Sequence, residues 1–460
     1  MTPLDIGITG AFILVMILVA GVGELQALVT VTLVAYFIYP RIMFGDVATD
    51  GFFNGISLSR PVVLTWHFAI LFALAYGVIR RKGLALGGLL PVVPLVIFST
   101  LFFSIGWTQS RPLMSGYLHL LTVSASWAVG CVLFNAVSST PGGERVLSKW
   151  IAGVSSFVAL ICVLQVSGFD INSNSTKLLR SAAGARDTIA GIRVVSTFNE
   201  PTAAGKFLIL LAIIGVVWRF GRDALKRRNS ILLVAAALVV ALLTQTRSNF
   251  AALGVLILLY SLVVNRRNLL GRVVLTGGAA ALVIYASFST WNARFAEGGG
   301  IRSHTLQVAL DFLATNPDTL WAGIGPNRYF EVLAPLDSWV ARGYPAHNFF
   351  IYLLVELGAI GTFCYALPFI ILTIGSVKAI HNASANVKLA KSWLCSLPGL
   401  LLIAMLGWGL LSVVAPALFL VMGYVYTSLG QKERNDLQPE GVRPGVAGSM
   451  KAPETRAFPK

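Results

Sequence analysis

The stretch Gly343-Tyr-Pro-Ala-His-Asn-Phe-Phe-Ile-Tyr-Leu-Leu-Val-Glu-Leu-Gly-Ala-Ile-Gly361 closes a long polar loop and opens a long apolar run. Pro345 suits the approach to a helix, and the residues after it form helix well or are tolerated within a bilayer. The run continues to about residue 375, longer than the ~20 residues a helix needs to cross a membrane. His347 and Asn348 stand at the join, on the water–lipid boundary. An imidazole there can titrate and still face a molecule carried in lipid.

Working outward, apolar runs of this kind recur from end to end. They lie at roughly 6–39, 61–79, 84–104, 113–137, 150–168, 202–218, 231–246, 250–264, 273–291, 346–375 and 394–428, the last with a possible break at Pro416. Of the 460 residues, 56% are hydrophobic and 12% charged, against about 25% charged in a soluble chain. The chain is therefore read as an all-α polytopic membrane protein. Short alternating strands with polar interiors are absent from the sequence, which argues against a barrel. The net charge of +16 falls largely in short loops and reads as orientation bias, so no nucleic-acid partner is expected. Cys131, Cys162, Cys364 and Cys395 all lie in apolar runs without metal-type spacing, as buried inert thiols do. No basic n-region or cleavage signal precedes the first run, which is expected to be retained.

Basic clusters set the topology. Arg80-Arg81-Lys82 and the loops 219–229, 265–272 and 378–391 belong in the cytoplasm, while 169–200 and 292–345 fall on the opposite, outer face. The first run is interrupted at Gly21-Val22-Gly23-Glu24 and would measure about 51 Å as one helix, too long for a straight crossing. A kinked span and a tight hairpin both remain open. Counting it as one net crossing gives about 12 transmembrane helices with a large helical outer loop. The expected organisation is a single membrane domain, 1–428, followed by a polar cytoplasmic tail, 429–460, without fixed structure. No internal repeat is evident, which weakens a transporter built from inverted repeats.

Polar residues on the outer side are the candidates for chemistry. Thr244-Gln-Thr-Arg-Ser-Asn249 lies between two apolar arms whose far ends are both cytoplasmic. Each arm has only about 15–16 residues, short of the ~20 a full crossing needs, so the tip and Arg247 should sit recessed below the outer surface. An arginine there needs a cavity or an anion, and its forked donors suit a phosphate; a snorkelling interfacial arginine is the plain alternative. Upstream, Arg193-Val-Val-Ser-Thr-Phe-Asn-Glu-Pro201 opens the run 202–218. Arg193 can pair with an anion. Glu200, beside Pro201 at a helix start, either stabilises that helix end or orients a hydroxyl.

In the outer loop, Leu306, Ala309, Leu310 and Leu313 repeat at helical spacing, which predicts an amphipathic helix on the membrane surface or over a cavity. Arg302 at its start is a further candidate for substrate contact, as is Asn348. Trp321-Ala-Gly-Ile-Gly-Pro-Asn-Arg328 follows, turn-rich with an interfacial aromatic. Its Gly-x-Gly lacks the strand–turn–helix setting of a dinucleotide site. Glu356 lies nine residues after His347, a rotation of about 180° on a regular helix, so it points away and needs a mate of its own. Gly358 and Gly361 allow close helix packing. His67 and His119 lie inside apolar runs and read as satisfied intramembrane histidines, while His304 and His381 are unremarkable loop residues. No HExxH, Cys/His cluster or carboxylate triad supports a metal site, and no Walker sequence is present.

Thr-Arg-Ser at 246–248, Gly-Ile-Gly-Pro-Asn at 323–327 and His-Asn-x-x-x-x-x-Leu-x-Glu-x-Gly-x-x-Gly at 347–361 together resemble the bacterial O-antigen ligase/polymerase superfamily. Arg193 with Thr-Phe-Asn-Glu-Pro at 197–201 resembles that family's upstream arginine-and-proline segment. The resemblance covers roughly 193–361; residues 1–150 match only as generic spans. It implies an inner-membrane glycosyltransferase, free of metal and cofactor, with its active site towards the periplasm. The donor would be a glycan on undecaprenyl diphosphate, and the acceptor a glycan or lipid A–core, with a chain-length regulator as a further partner. By the resemblance, Arg193 and Arg247 hold the diphosphate and His347 stands near the acceptor, with Glu200 as a second catalytic candidate. Ligases in the family often carry Asn-Pro-Asn where this chain has Asn-Glu-Pro, which favours repeat-unit polymerisation for O-antigen or exopolysaccharide. A ligase for finished polymer and a transporter or flippase of lipid-linked sugars are the rival readings.

Overall fold

A computed structural model describes residues 24–38, 42–44, 63–79, 86–106, 111–167, 227–244, 251–256, 258–259, 300–341, 344–382, 386–405 and 414–436. Helix α1 (Glu24–Leu33) tightens into a π-helical turn, Val34–Ile38. The choice between kink and hairpin in the first run rests on residues before 24, outside the described ones. A short antiparallel ribbon pairs β1 (Ile42–Phe44) with β2 (Val63–Leu64), Ile42 opposite Leu64; every other regular element among the described residues is helical. There follow α2 (Thr65–Ile79), α3 (Val93–Gly106), entered through helical turns at Leu86–Leu89 and Leu90–Val92, α4 (Arg111–Ser139), α5 (Gly143–Val166) and α6 (Arg227–Thr244). Residues 251–256 and 258–259 are helical, as are 300–315, here α7. Short helices Thr319–Ala322, Tyr329–Leu333 and Ser338–Ala341 lead to α8 (Phe349–His381), α9 (Val387–Met405) and α10 (Val414–Asp436).

Among the described residues, five helical stretches are long and apolar enough to cross a membrane: Gly87–Ser104, Gly116–Ser139, Gly143–Gln165, Phe349–His381 and Val387–Met405. Shorter apolar helices lie at Glu24–Tyr36, His67–Ile79 and Val414–Gly430. The chain is thus a multi-pass helical membrane protein. The runs at 202–218 and 273–291, which enter the count of about twelve, lie outside the described residues. The run 394–428 takes in the end of α9 and the start of α10, residues 406–413 between them lying outside the described ones, and Pro416 is in the first described turn of α10. Helix α10 then continues to Asp436, past residue 428 where the membrane domain was expected to end.

The core is built on α4 and α10, which lie side by side. Gly130 on one faces Leu420 on the other, and Gly423 faces Trp127, so closely that a Cβ at either glycine would strike the opposite backbone. Without water to drive apolar faces together, membrane helices associate through such close packing. Aromatic rings fill the flanks: Phe134 meets Tyr424 edge-on at 5.0 Å, and Trp127 and Tyr365 both pack on Phe419. His67 Nε2 lies 3.2 Å from Thr122 Oγ1, whose own proton goes to the Leu118 carbonyl; the ring therefore donates, and His67 is a satisfied intramembrane histidine. All four cysteines are buried free thiols.

Helix α8 is not one rod. At Gly358 the backbone turns to φ +64°, ψ −175°, dividing a first segment, 349–357, from a second, 359–381. Residues 359–381 alone make about 35 Å of helix, enough for a ~30 Å hydrocarbon core. The segment that starts at His347 and Asn348 is thus free to serve as a platform rather than as part of the crossing. Gly361, just beyond, leaves room for the Phe98 ring of α3, as a close-packing glycine should.

Candidate functional site

The break at Gly358 deprives α8 of its normal hydrogen-bond ladder, and the loop after Thr319–Ala322 repairs it. Ile324 N–H donates to the Val355 carbonyl (3.0 Å) and Gly325 N–H to the Glu356 carbonyl (2.8 Å). Two glycines make this approach possible. A Cβ on Gly323 would collide with the Glu356 carbonyl, and one on Gly358 with the Trp321 carbonyl, while both residues hold positive φ. The Gly-Ile-Gly-Pro-Asn segment and the Glu-x-Gly end of the later motif are two halves of one joint.

The Glu356 side chain completes it. Buried, its Oε1 accepts from Tyr352 Oη–H (2.8 Å) and from Tyr329 N–H (3.2 Å), and the Asn327 N–H also bonds the carboxylate. The mate expected from sequence is thus a loop 27 residues upstream together with the tyrosine one helical turn back. A buried carboxylate with several donors is a strong tie.

On the other side of this joint sits the His347 segment. Asn348 is the N-cap of α8: its Oδ1 accepts from Phe350 N–H (3.0 Å) and Ile351 N–H (3.3 Å). That oxygen caps the helix, a structural use of a residue considered for substrate contact. His347 is half-buried, and its Nδ1 lies 2.8 Å from the Pro345 carbonyl. A carbonyl only accepts, so Nδ1 carries the proton and the neutral ring keeps its lone pair on Nε2. Thr305 on α7 donates to the same carbonyl at 3.2 Å, and Tyr329 Oη accepts from Ala346 N–H at 3.0 Å. Burial pushes the Tyr329 hydroxyl above its ordinary pKa, so it stays protonated at neutral pH.

Helix α7 has the amphipathic character expected, but the buried line runs through Thr305, Ala309, Phe312 and Leu313. Leu306 packs partly against the core, and Leu310 is exposed. The face is rotated because Thr305, a polar residue that no apolar pattern marks, is turned inward by its bond to Pro345. Arg302 is exposed on the same helix. His304, two residues along, is paired at 2.6 Å with Asp337, whose other oxygen caps Ser338–Ala341. Arg193, Glu200 and Arg247 lie outside the described residues, as does the polar stretch 245–250 between α6 and the helical residues 251–256. The structure therefore places His347, Asn348 and Arg302 and leaves the rest of the expected constellation unplaced. Tyr329 and Thr305 escaped the sequence reading because each reaches His347 only through the backbone.

Residues 231–366 match the family model described as O-antigen ligase. Over this stretch the chain is similar to the O-antigen ligase family, which is consistent with the O-antigen ligase/polymerase superfamily. The matched residues run from α6 to the middle of α8 and so include the polar tip, α7, the joint and His347. Arg193 and Glu200 precede it. No curated protein matches the chain. The match supports a membrane glycosyltransferase of the O-antigen ligase/polymerase type, acting on lipid-linked glycans and polysaccharides.

Proposed function

We propose that the protein catalyses inverting glycosyl transfer from an undecaprenyl-diphosphate-linked glycan to a sugar hydroxyl on the periplasmic face of the inner membrane, polymerising repeat units of O-antigen or exopolysaccharide without a metal. The observation that carries this reading is the His347 imidazole, held at the mouth of α8 with its lone pair on Nε2. In that tautomer Nε2 takes the proton of the acceptor hydroxyl as its oxygen attacks the anomeric carbon. The bond from that carbon to the diphosphate oxygen breaks on the opposite face, inverting the centre. Charge then grows on the leaving diphosphate, where fixed guanidinium groups at a low-dielectric boundary stabilise it with little reorganisation. Arg247 and Arg193 are assigned that role, and Glu200 an orienting one.

His347→Ala should slow transfer at least ~100-fold, the usual scale for a lost general base, with the protein still in the membrane. A near-normal rate in purified protein given lipid-linked glycan removes this role. Arg247→Ala should abolish transfer at unchanged protein level, and full activity there removes the diphosphate clamp. The description of the matching family favours a second reading, ligation of finished polymer to lipid A–core. Cells lacking the protein decide between them: single lipid-linked repeats accumulate if it polymerises, long lipid-linked chains if it ligates.

A further inference from the structure

Pro345 C=O and Ala346 N–H are the two ends of one peptide unit, and both ends are held. The N–H donates to Tyr329 Oη at 3.0 Å; the C=O accepts from Thr305 Oγ1 at 3.2 Å and from His347 Nδ1 at 2.8 Å. Tyr329 is itself fixed at three points. It is fully buried, its ring stacks on Tyr352 with centroids 4.6 Å apart, and its own N–H is bonded to Glu356. The group that holds Nδ1 of the imidazole is therefore a backbone carbonyl, and that carbonyl can aim at Nδ1 only while its peptide plane does not rotate.

We infer that Tyr329 and Thr305 are positioning residues for His347, acting through the Pro345–Ala346 peptide. This rests on the reading of His347 as the base and adds what selects its tautomer. Tyr329 has the larger share. It alone accepts from the Ala346 N–H, whereas Thr305 divides one proton between Pro345 and the Arg302 carbonyl at 3.3 Å. Donation from the N–H end also polarises the C=O end, so the two bonds strengthen one another. Without Tyr329 Oη the peptide is free to turn towards water, and the imidazole exchanges its two neutral tautomers.

Tyr329→Phe removes one oxygen and keeps the ring stack. In full-length protein in lipid bilayers, 15N-histidine spectra report the tautomer directly, with the His347 resonances assigned by their loss in His347→Ala. The wild-type ring should be protonated at Nδ1; in Tyr329→Phe a population protonated at Nε2 should appear. With lipid-linked glycan, kcat should fall roughly 10- to 100-fold, the scale of a displaced catalytic group, at unchanged KM for the donor. Thr305→Val should move both readouts the same way by a smaller factor, and it carries the test alone if Tyr329→Phe does not fold. An unchanged tautomer in the variants overturns the inference, whether or not kcat falls, because a rate loss without a tautomer shift is general loosening. A shifted tautomer together with an active His347→Ala upholds the clamp and removes instead the reading of His347 as base.

Discussion

The α4–α10 contact and the joint between the 321–329 loop and α8 both bring backbone against backbone through glycine, and they do so for different ends. Between α4 and α10, Gly130 and Gly423 let two regular helices approach until each meets the other's main chain. The helical ladders on both sides stay whole, and what is gained is packing. Between the 321–329 loop and α8, Gly323 and Gly358 permit an equally close approach, but there the ladder of α8 is broken. The loop supplies the missing donors to Val355 and Glu356. The first contact fixes how much protein is folded. The second fixes where a particular segment, the one that starts at His347, stands.

That difference can be broken experimentally. Gly358→Val forces a β-branched residue into left-handed backbone and into the Trp321 carbonyl; the strain alone is worth on the order of 3 kcal/mol. Gly423→Val meets the Trp127 carbonyl and should lower thermal stability in detergent by a comparable amount. The two should separate when activity is expressed per folded molecule, measured on the monodisperse fraction. The Gly423 variant should retain its rate, while the Gly358 variant should lose most of it, because the platform for His347 is no longer tied to its loop. Equal specific activities in the two surviving fractions would show that the joint is packing and nothing more.

A smaller effect sharpens the same point at the other end of the platform. Asn348→Ala removes the acceptor for Phe350 and Ile351 N–H and should cost about 1 kcal/mol, the usual worth of an N-cap. Asn348→Asp, which keeps the acceptor, should restore the melting temperature.

How much of this was legible in the sequence depends on the range of the interaction. Apolar runs became helices because length and hydropathy are local properties, and α4, α5 and α8 lie close to where the runs place them. That Glu356 needs a mate of its own follows from its place in an apolar run, since a buried carboxylate cannot stand alone. Its partners were not legible: Asn327 and Tyr329 belong to another segment and bond through main-chain N–H groups that every residue possesses. Gly358 looked like a packing glycine, because a glycine in an apolar run carries no mark that tells a helix break from a close contact. Gly361, three residues later, is a packing glycine. The Leu310 face was misplaced for a related reason: apolar periodicity cannot foresee that a threonine turns inward to reach a carbonyl. In general the site was found by its residue types, while the scaffold that aims it runs through the backbone.

The smallest expected effect lies at the rim of that scaffold, in the His304–Asp337 pair that links α7 to Ser338–Ala341. Partial burial works against the Asp337 charge, but hydrogen bonds from His304 and from the Val340 and Trp339 N–H groups outweigh it and hold the carboxyl below its ordinary range. A carboxylate with a depressed folded-state pKa adds stability above its unfolded pKa, and that stability is lost as pH falls through the folded value. The link should therefore be intact at neutral pH and fail only in acid, below about pH 4. Because the pair is exposed on its His304 side, the change should be local and leave global unfolding unmoved. Hydrogen–deuterium exchange of the 338–341 amides should rise in acid in the wild type and be raised already at neutral pH in Asp337→Ala. Exchange that is flat with pH would mean that the short helix is held by its packed Val340 instead, and that the tie to α7 depends on Thr305 alone.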